Sequence, residues 1–258
     1  MQKYFANGKE LRTACRHGDW SGPTPGQANG YVQANLVMIP RQLAFEFMLF
    51  CQRNPKPCPL IEVTEAGDPC PANVAADADL RSDLPAYRIY QQGVLVAEPT
   101  NLKAYWREDL VSFLIGCSFT FENALIQAQL PVRHLEQGSN VPMYKTNIPC
   151  RPAGPFRGPM VVSMRPMTPA QALSATVICS RFPLSHGIPI HLGDPQVIGI
   201  NDLSRPDYGD PVEIRPNEIP VFWACGVTPQ AIVVDSRPEF VITHKPGHMF
   251  ITDLHDQI

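Results

Sequence analysis

Apolar positions fall in short runs punctuated by proline and glycine, and the runs alternate between strand-like and helix-like spacing. Tyr31 to Ile39 (YVQANLVMI) reads as a strand that Pro40 ends. Arg41 to Arg53 places Leu43, Phe47, Phe50 and Cys51 on one helical face, and Asn54-Pro55 stops that helix. Leu60 to Thr64 is a second strand, so the order suggests a βαβ-type unit. Tyr87–Tyr90 and Val94–Ala97 flank Gln91-Gln92-Gly93 as a hairpin. Asp109 to Gln129 reads as one long helix capped by Asp109, with Leu110, Phe113, Leu114, Cys117, Phe121, Leu125 and Ala128 as its apolar face. Ser118 and Glu122 lie one turn apart beside that face, as a buried polar pair or a solvated edge.

The second half repeats the alternation. A strand is expected over 160–164, a helix over 169–179 opened by a Thr168/Gln171 capping box with Pro169 at its first position, and strands over 188–192, 220–224, 240–243 and 249–252. Asp194-Pro195 and Thr228-Pro229 repeat the cap-plus-proline device. Residues 66–86, rich in Asp, Ala and Pro, read as a surface loop. Residues 140–159, with five prolines, read as a crossing between lobes or a loop over a site. No internal repeat is expected. The fold class is α/β, or α+β mixed.

Composition narrows the function classes. The chain has 258 residues, a formal net charge of −3 and no cluster of Lys or Arg, which excludes a nucleic-acid footprint. Its longest apolar run, about a dozen residues from Leu110, falls short of the roughly 20 that span a bilayer. The N-terminal stretch has no signal-type apolar segment, so a cytoplasmic location is the expectation. The eight cysteines include no CxxC pair and read as free thiols, mainly core filler. The 28 prolines lie between apolar segments in a chain that is 44% hydrophobic, which fits a folded domain with many fixed turns.

Candidate chemistry gathers near the C-terminus. Cys225 ends a strand, Gly226 allows close backbone approach, and Thr228-Pro229 is expected to open a helix whose N–H groups face the strand end. That makes Cys225 either a nucleophile or anion-site residue, or a buried cysteine beside a tight turn. His244 and His248 straddle Lys-Pro-Gly, which rules out a zinc-helix arrangement but lets both rings converge across a turn. His186 and His191, followed by Asp194, form a similar loop group that could hold a divalent metal such as Mn²⁺. Asp253 ends the last strand. Arg151, Arg165 and Arg181 end apolar elements, and the arginine fork suits carboxylate recognition or interlobe ion pairs.

Several segments taken together resemble the hydro-lyase family that includes D-glutamate cyclase. They are GYVQANLVMIP (30–40), FCQRNPKPCPLIEVTEAGDP (50–69), FLIGCSFTFENAL (113–125), NVPMYKTNIPCRPAGPFRGPMVVSMRP (140–166), SRFPLSHGIPIHLGDP (180–195), PVFWACGVTPQA (220–231) and THKPGHMFITDL (243–254). The resemblance implies two lobes: a three-layer α/β/α lobe and a smaller two-layer α/β lobe. We expect them at 1–152 and 153–258, or with 155–205 as an insert and 206–258 returning to the first lobe. It also implies a lyase acting on a small amino or hydroxy acid, D-glutamate giving 5-oxo-D-proline in the cyclase branch. The resemblance carries no residue roles with it; from the residues themselves, His244, His248, Cys225 and Asp253 are the expected catalytic residues. Arg165, Arg181, Arg151 and Thr228 are the expected substrate-binding residues, and His186, His191 and Asp194 the expected metal ligands. The expected partner is a small-molecule substrate, with neither nucleic acid nor membrane; assembly into homo-oligomers is compatible with the sequence. A hydro-lyase for another substrate, a non-catalytic metabolite-binding protein and a metal-dependent hydrolase of a cyclic amide are the other classes open.

Overall fold

The computed structural model describes residues 4–256. The fold is mixed α/β, with two sheets whose ladders are all antiparallel. The first sheet holds β1 (Tyr31–Pro40), β2 (Leu60–Val63), β3 (Tyr87–Gln91), β4 (Val94–Ala97), β5 (Leu110–Gly116), β10 (Val241–His244) and β11 (Phe250–His255). Its order is β2-β5-β1-β10-β3-β4, with β11 continuing the edge of β1. The second sheet runs β6 (Met143–Pro149), β7 (Pro159–Met167), β9 (Ile219–Ala224) and β8 (His191–Leu192). The division expected at 152/153 falls between β6 and β7 of one sheet, and the chain rejoins the first sheet only at Val241.

The helices are α1 (Gly8–His17), α2 (Arg41–Arg53), α3 (Phe119–Gln127), α4 (Arg133–Glu136), α5 (Pro169–Cys179) and α6 (Val227–Asp235). Each sheet has a helical face and a coil face. On the first sheet, Phe47, Phe50 and Cys51 of α2 pack with Ile232 and Val233 of α6 against Val37, Phe113 and Val241. On the second, Phe121 and Leu125 of α3 pack with Ala172 and Ala175 of α5 against Val221 and Trp223. The helices are therefore exchanged: α3 follows a first-sheet strand and covers the second sheet, while α6 follows a second-sheet strand and covers the first.

Several expectations are corrected. The helix expected over 109–129 is a strand followed by a short helix. Leu110–Gly116 is buried at every residue because a core packs on each of its faces, Leu110 and Leu114 on one and Val111, Phe113 and Ile115 on the other, so it has no period of two. Asp109 caps nothing there; its side chain pairs with Arg107 and its carbonyl accepts from Arg41. The β1–α2–β2 unit is split, because β5 lies between its two strands and is antiparallel to both. Residues 66–86 are no surface loop: Val74, Ala75, Ala78, Leu80 and Leu84 fill the core of the first sheet's coil face. Residues 140–159 contain β6 rather than a bare crossing. The strand expected over 188–192 shrinks to His191–Leu192. Other readings stand: α5 spans 169–179 with its capping box, and Asp194 caps a short 3-10 turn at Pro195–Ile198.

Candidate functional site

Two strand-to-helix turns face the junction of the sheets, and they are built alike. β5 ends in Gly116-Cys117-Ser118 before α3, and β9 ends in Ala224-Cys225-Gly226 before α6. In the first turn, Cys117 N–H donates to the carbonyl of Gln33 (3.1 Å), and Gln33 N–H donates to Thr120 Oγ1 (3.0 Å). In the second, Cys225 N–H donates to the carbonyl of Val161 (3.0 Å), and Val161 N–H donates to Thr228 Oγ1 (2.9 Å). Five positions after each cysteine stands an acid or its amide beside a buried histidine: Glu122 with His134, Gln230 with His244. This is an internal duplication in structure, contrary to the expectation of no repeat. Its sequence trace is Cys-x-x-Thr-x-Glu at 117–122 and Cys-x-x-Thr-x-Gln at 225–230.

The turns interlock. Asn35 of β1 donates its amide to the carbonyls of Gly116 (2.9 Å) and Ile115 (3.2 Å). A Cβ at Gly226 would collide with that amide. Glycine is thus required at 226 by close approach, since its φ of −66° is open to any residue. At Gly116 a Cβ would collide with the backbone carbonyl of Leu184.

Behind the first turn lies a buried charged network. Arg165 on β7 donates through Nε to Glu122 (3.1 Å), through Nη1 to Ser163 (3.1 Å) and through Nη2 to Ser118 (3.2 Å) and Glu122. Its guanidinium lies 5.2 Å from the Phe121 ring centroid and 5.4 Å from that of Trp223. Burial pushes the Glu122 carboxyl up, but His134 and Arg165 outweigh it and hold the pKa near 2. His134 Nε2 is 3.2 Å from Glu122 yet out of line for a hydrogen bond. The Ser118–Glu122 pair is therefore buried and bridged by Arg165.

The second turn borders a cleft of about 360 Å³, walled by Arg88, Tyr90, Met143, Tyr208, Gln230 and Asp235. Cys225 lies behind it, packed with Met143, Tyr208 and Val227. Gln230 is fixed from below, its carboxamide nitrogen 2.6 Å from His244 Nδ1. That ring nitrogen also lies 3.0 Å from the N–H of Leu36, so the imidazole is held between β1 and the Gln230 carboxamide. Burial lowers the His244 pKa to about 3, so the ring is neutral at physiological pH.

The expected site residues separate into groups. Cys225, Thr228 and Arg165 meet around the paired turns. Burial raises the Cys225 thiol to about 11, against weaker lowering by the Val227 N–H and Arg165, so it rests protonated. Thr228, expected to touch substrate, is fully buried and spends its hydroxyl on both the N–H and the carbonyl of Val161. It does not open α6 either; Gly226 precedes that helix. His244 positions Gln230 and does not line the cleft. His248 is half-buried with Nδ1 2.8 Å from the Pro246 carbonyl, and burial lowers its pKa. Asp253 lies apart on β11, where Arg12 ties it (3.0 Å) and Asp77 (2.9 Å) together. Arg151 and Arg181 are exposed.

The expected metal group does not assemble. His186 Nδ1 is held by the Lys56 carbonyl (2.8 Å), with burial lowering its pKa to about 4. His191 Nε2 meets the Asp194 carbonyl (2.7 Å), and the Asp194 side chain accepts from Gln196 N–H. Among the described residues no three His, Cys, Asp or Glu side chains converge as a metal-ligand set. Sequence reasoning missed Gln230, Arg88, Tyr208 and Asp235; for Gln230 the duplicated Cys-x-x-Thr spacing was the available signal.

The D-glutamate cyclase family model matches residues 111–253, a span holding both turns and most of the cleft wall. Similar proteins include the "Putative hydro-lyase GK2103" of Geobacillus kaustophilus, 59% identical over 96% of this chain and 95% of that one. Others are hydro-lyases by the same qualified name from Azorhizobium caulinodans (60% identical, 97% and 92% covered) and Bordetella petrii (60%, 94% and 92%). The chain belongs to the D-glutamate cyclase family. A solved nitrogen repressor-like protein, MJ0159 from Methanococcus jannaschii, aligns over 98% of this chain and 96% of that one, with a TM-score of 0.41 and 9% identity. No helix among the described residues is long and apolar enough to cross a membrane.

Proposed function

We propose that the protein is a lyase that removes water from D-glutamate to close the ring of 5-oxo-D-proline, in the cleft beside α6. Membership of the D-glutamate cyclase family supports the reaction. The observation that carries the location is the cleft itself: polar groups of opposite charge, Arg88 and Asp235, share a wall with a carboxamide fixed by a neutral, buried imidazole.

The reaction needs no net acid or base. The ammonium nitrogen gives up two protons as it bonds to the carbon of the γ-carboxyl group, and the oxygen departing from that same carbon takes two to leave as water. What the site must supply is a relay and a fixed geometry. Asp235 is the carboxylate on the cleft wall that can accept an ammonium proton, and the Tyr208 hydroxyl can donate one to the leaving oxygen. Burial raises the Tyr208 pKa, which keeps that hydroxyl protonated. A covalent route through Cys225 would first need its buried, protonated thiol to be ionised, so the acid–base route is preferred.

The test is a proton NMR time course with D-glutamate and, separately, 5-oxo-D-proline, with L-isomers as controls and with and without Mn²⁺. Interconversion confined to the D-series is the expected result. No conversion of any isomer in either condition rejects this substrate.

A further inference from the structure

The two duplicated turns differ at one place that matters for recognition. In the first, the face of Glu122 is closed by the Arg165 guanidinium. In the second, the corresponding residue is Gln230, and its face opens into the cleft. Cys117 and Cys225, Thr120 and Thr228, and Glu122 and Gln230 are each 108 residues apart, so the correspondence is one of register. The first turn thus shows a nitrogen cation seated against the side chain at this position. In the second, the Gln230 carboxamide nitrogen is engaged by His244, and its oxygen is the atom left to accept from a ligand.

Arg88 supplies the complementary charge. Its Nε donates to Glu98 (2.6 Å), an ion pair that fixes the side chain against the cleft wall beside Tyr90 and uses one of the guanidinium's three nitrogens. The remaining wall is aromatic and apolar, from Tyr90, Met143 and Tyr208.

We infer that this cleft is a binding site for an α-amino acid bearing a second carboxylate, with Arg88 receiving a carboxylate and the Gln230 carboxamide oxygen receiving the ammonium group. This inference rests on the proposed reaction for its choice of ligand but not for its geometry.

Calorimetric titration of the full chain with D-glutamate and with glutarate, which lacks the amino group, tests it. Turnover by NMR is measured on the same samples. Arg88→Met should weaken both ligands by about 10- to 100-fold, the loss of one charge-assisted contact. Gln230→Leu should weaken D-glutamate by a similar factor and leave glutarate within about twofold of the native protein. A merely structural role for Gln230 would not separate the two ligands. If Arg88→Met binds both as the native protein does, or if Gln230→Leu loses both equally, the inference is overturned. Conversion of D-glutamate with an unchanged KM in Arg88→Met overturns the inference and leaves the proposed reaction standing. The expected binding pattern without conversion does the reverse.

Discussion

Arg165 on β7 and Glu122 on α3 meet with no access to water, the guanidinium Nε donating to the carboxylate at 3.1 Å across 43 residues of chain. A pair of this kind is weak evidence for net stability while intact, but removing one partner strands the other. Glu122→Gln or Arg165→Met should lower unfolding free energy by about 3–5 kcal/mol, read by urea denaturation at pH 7. A loss below about 1 kcal/mol would show that water reaches the pair.

The same carboxylate sets an acid limb. Its folded pKa near 2 lies below the ordinary 4.5, so its stabilisation is complete above 4.5 and is lost as pH falls toward 2. Glu122→Gln should flatten that part of the stability profile. An unaltered slope between pH 4.5 and 2 would contradict it.

His244 and His186 act at higher pH. Their folded values, about 3 and 4, lie below the ordinary 6.5. As pH drops below 6.5 the unfolded chain binds protons that the folded chain refuses, so stability declines from there down to pH 3–4. By NMR the two ring Hε1 resonances should show no titration midpoint between pH 8 and 5. A midpoint near 6.5 for either would mean that its ring is hydrated.

Gly226→Ala puts a methyl group into the Asn35 carboxamide and should destabilise by about 1–3 kcal/mol. Because the obstacle is a side chain, Asn35→Ala in the same protein should recover part of the loss, and a double-mutant cycle measures the coupling. Gly116→Ala meets the backbone of Leu184 instead, and no side-chain truncation should rescue it. Additive energies for Gly226→Ala and Asn35→Ala would refute the contact.

Seven of the eight cysteines are buried and only Cys70 is partly exposed. Native protein at pH 8 should release one equivalent of colour quickly with a disulfide reagent and the remainder on denaturation. Rapid labelling of Cys225 would mean that the cleft opens to its floor.

Much of the local structure was legible because its determinants are local. The Thr168/Gln171 box and Pro169 define α5 by capping chemistry, and Asn54-Pro55 ends α2. The Leu110–Gly116 strand was not, since burial on both faces removes the alternation that distinguishes strand from helix. The site divides the same way. Cys225 at a strand end follows from a short stretch of sequence. Arg165 with Glu122, and Gln230 with His244, depend on which helix covers which sheet; the matched Cys-x-x-Thr spacing marks the two turns but not the partners that their helices meet. Asp253 was misplaced for the same reason: its partner, Arg12, is 241 residues away.

The late return of the chain has a consequence for synthesis on the ribosome. β1 pairs with Thr243 through Val37 and with His255 through Tyr31, so one edge of a strand finished by Pro40 has no mate until about 200 residues more have emerged. Through most of translation that apolar edge, YVQANLVMI, is the part of the nascent chain most in need of a chaperone's cover. Truncation before β10 should therefore give an aggregating product rather than a smaller folded one.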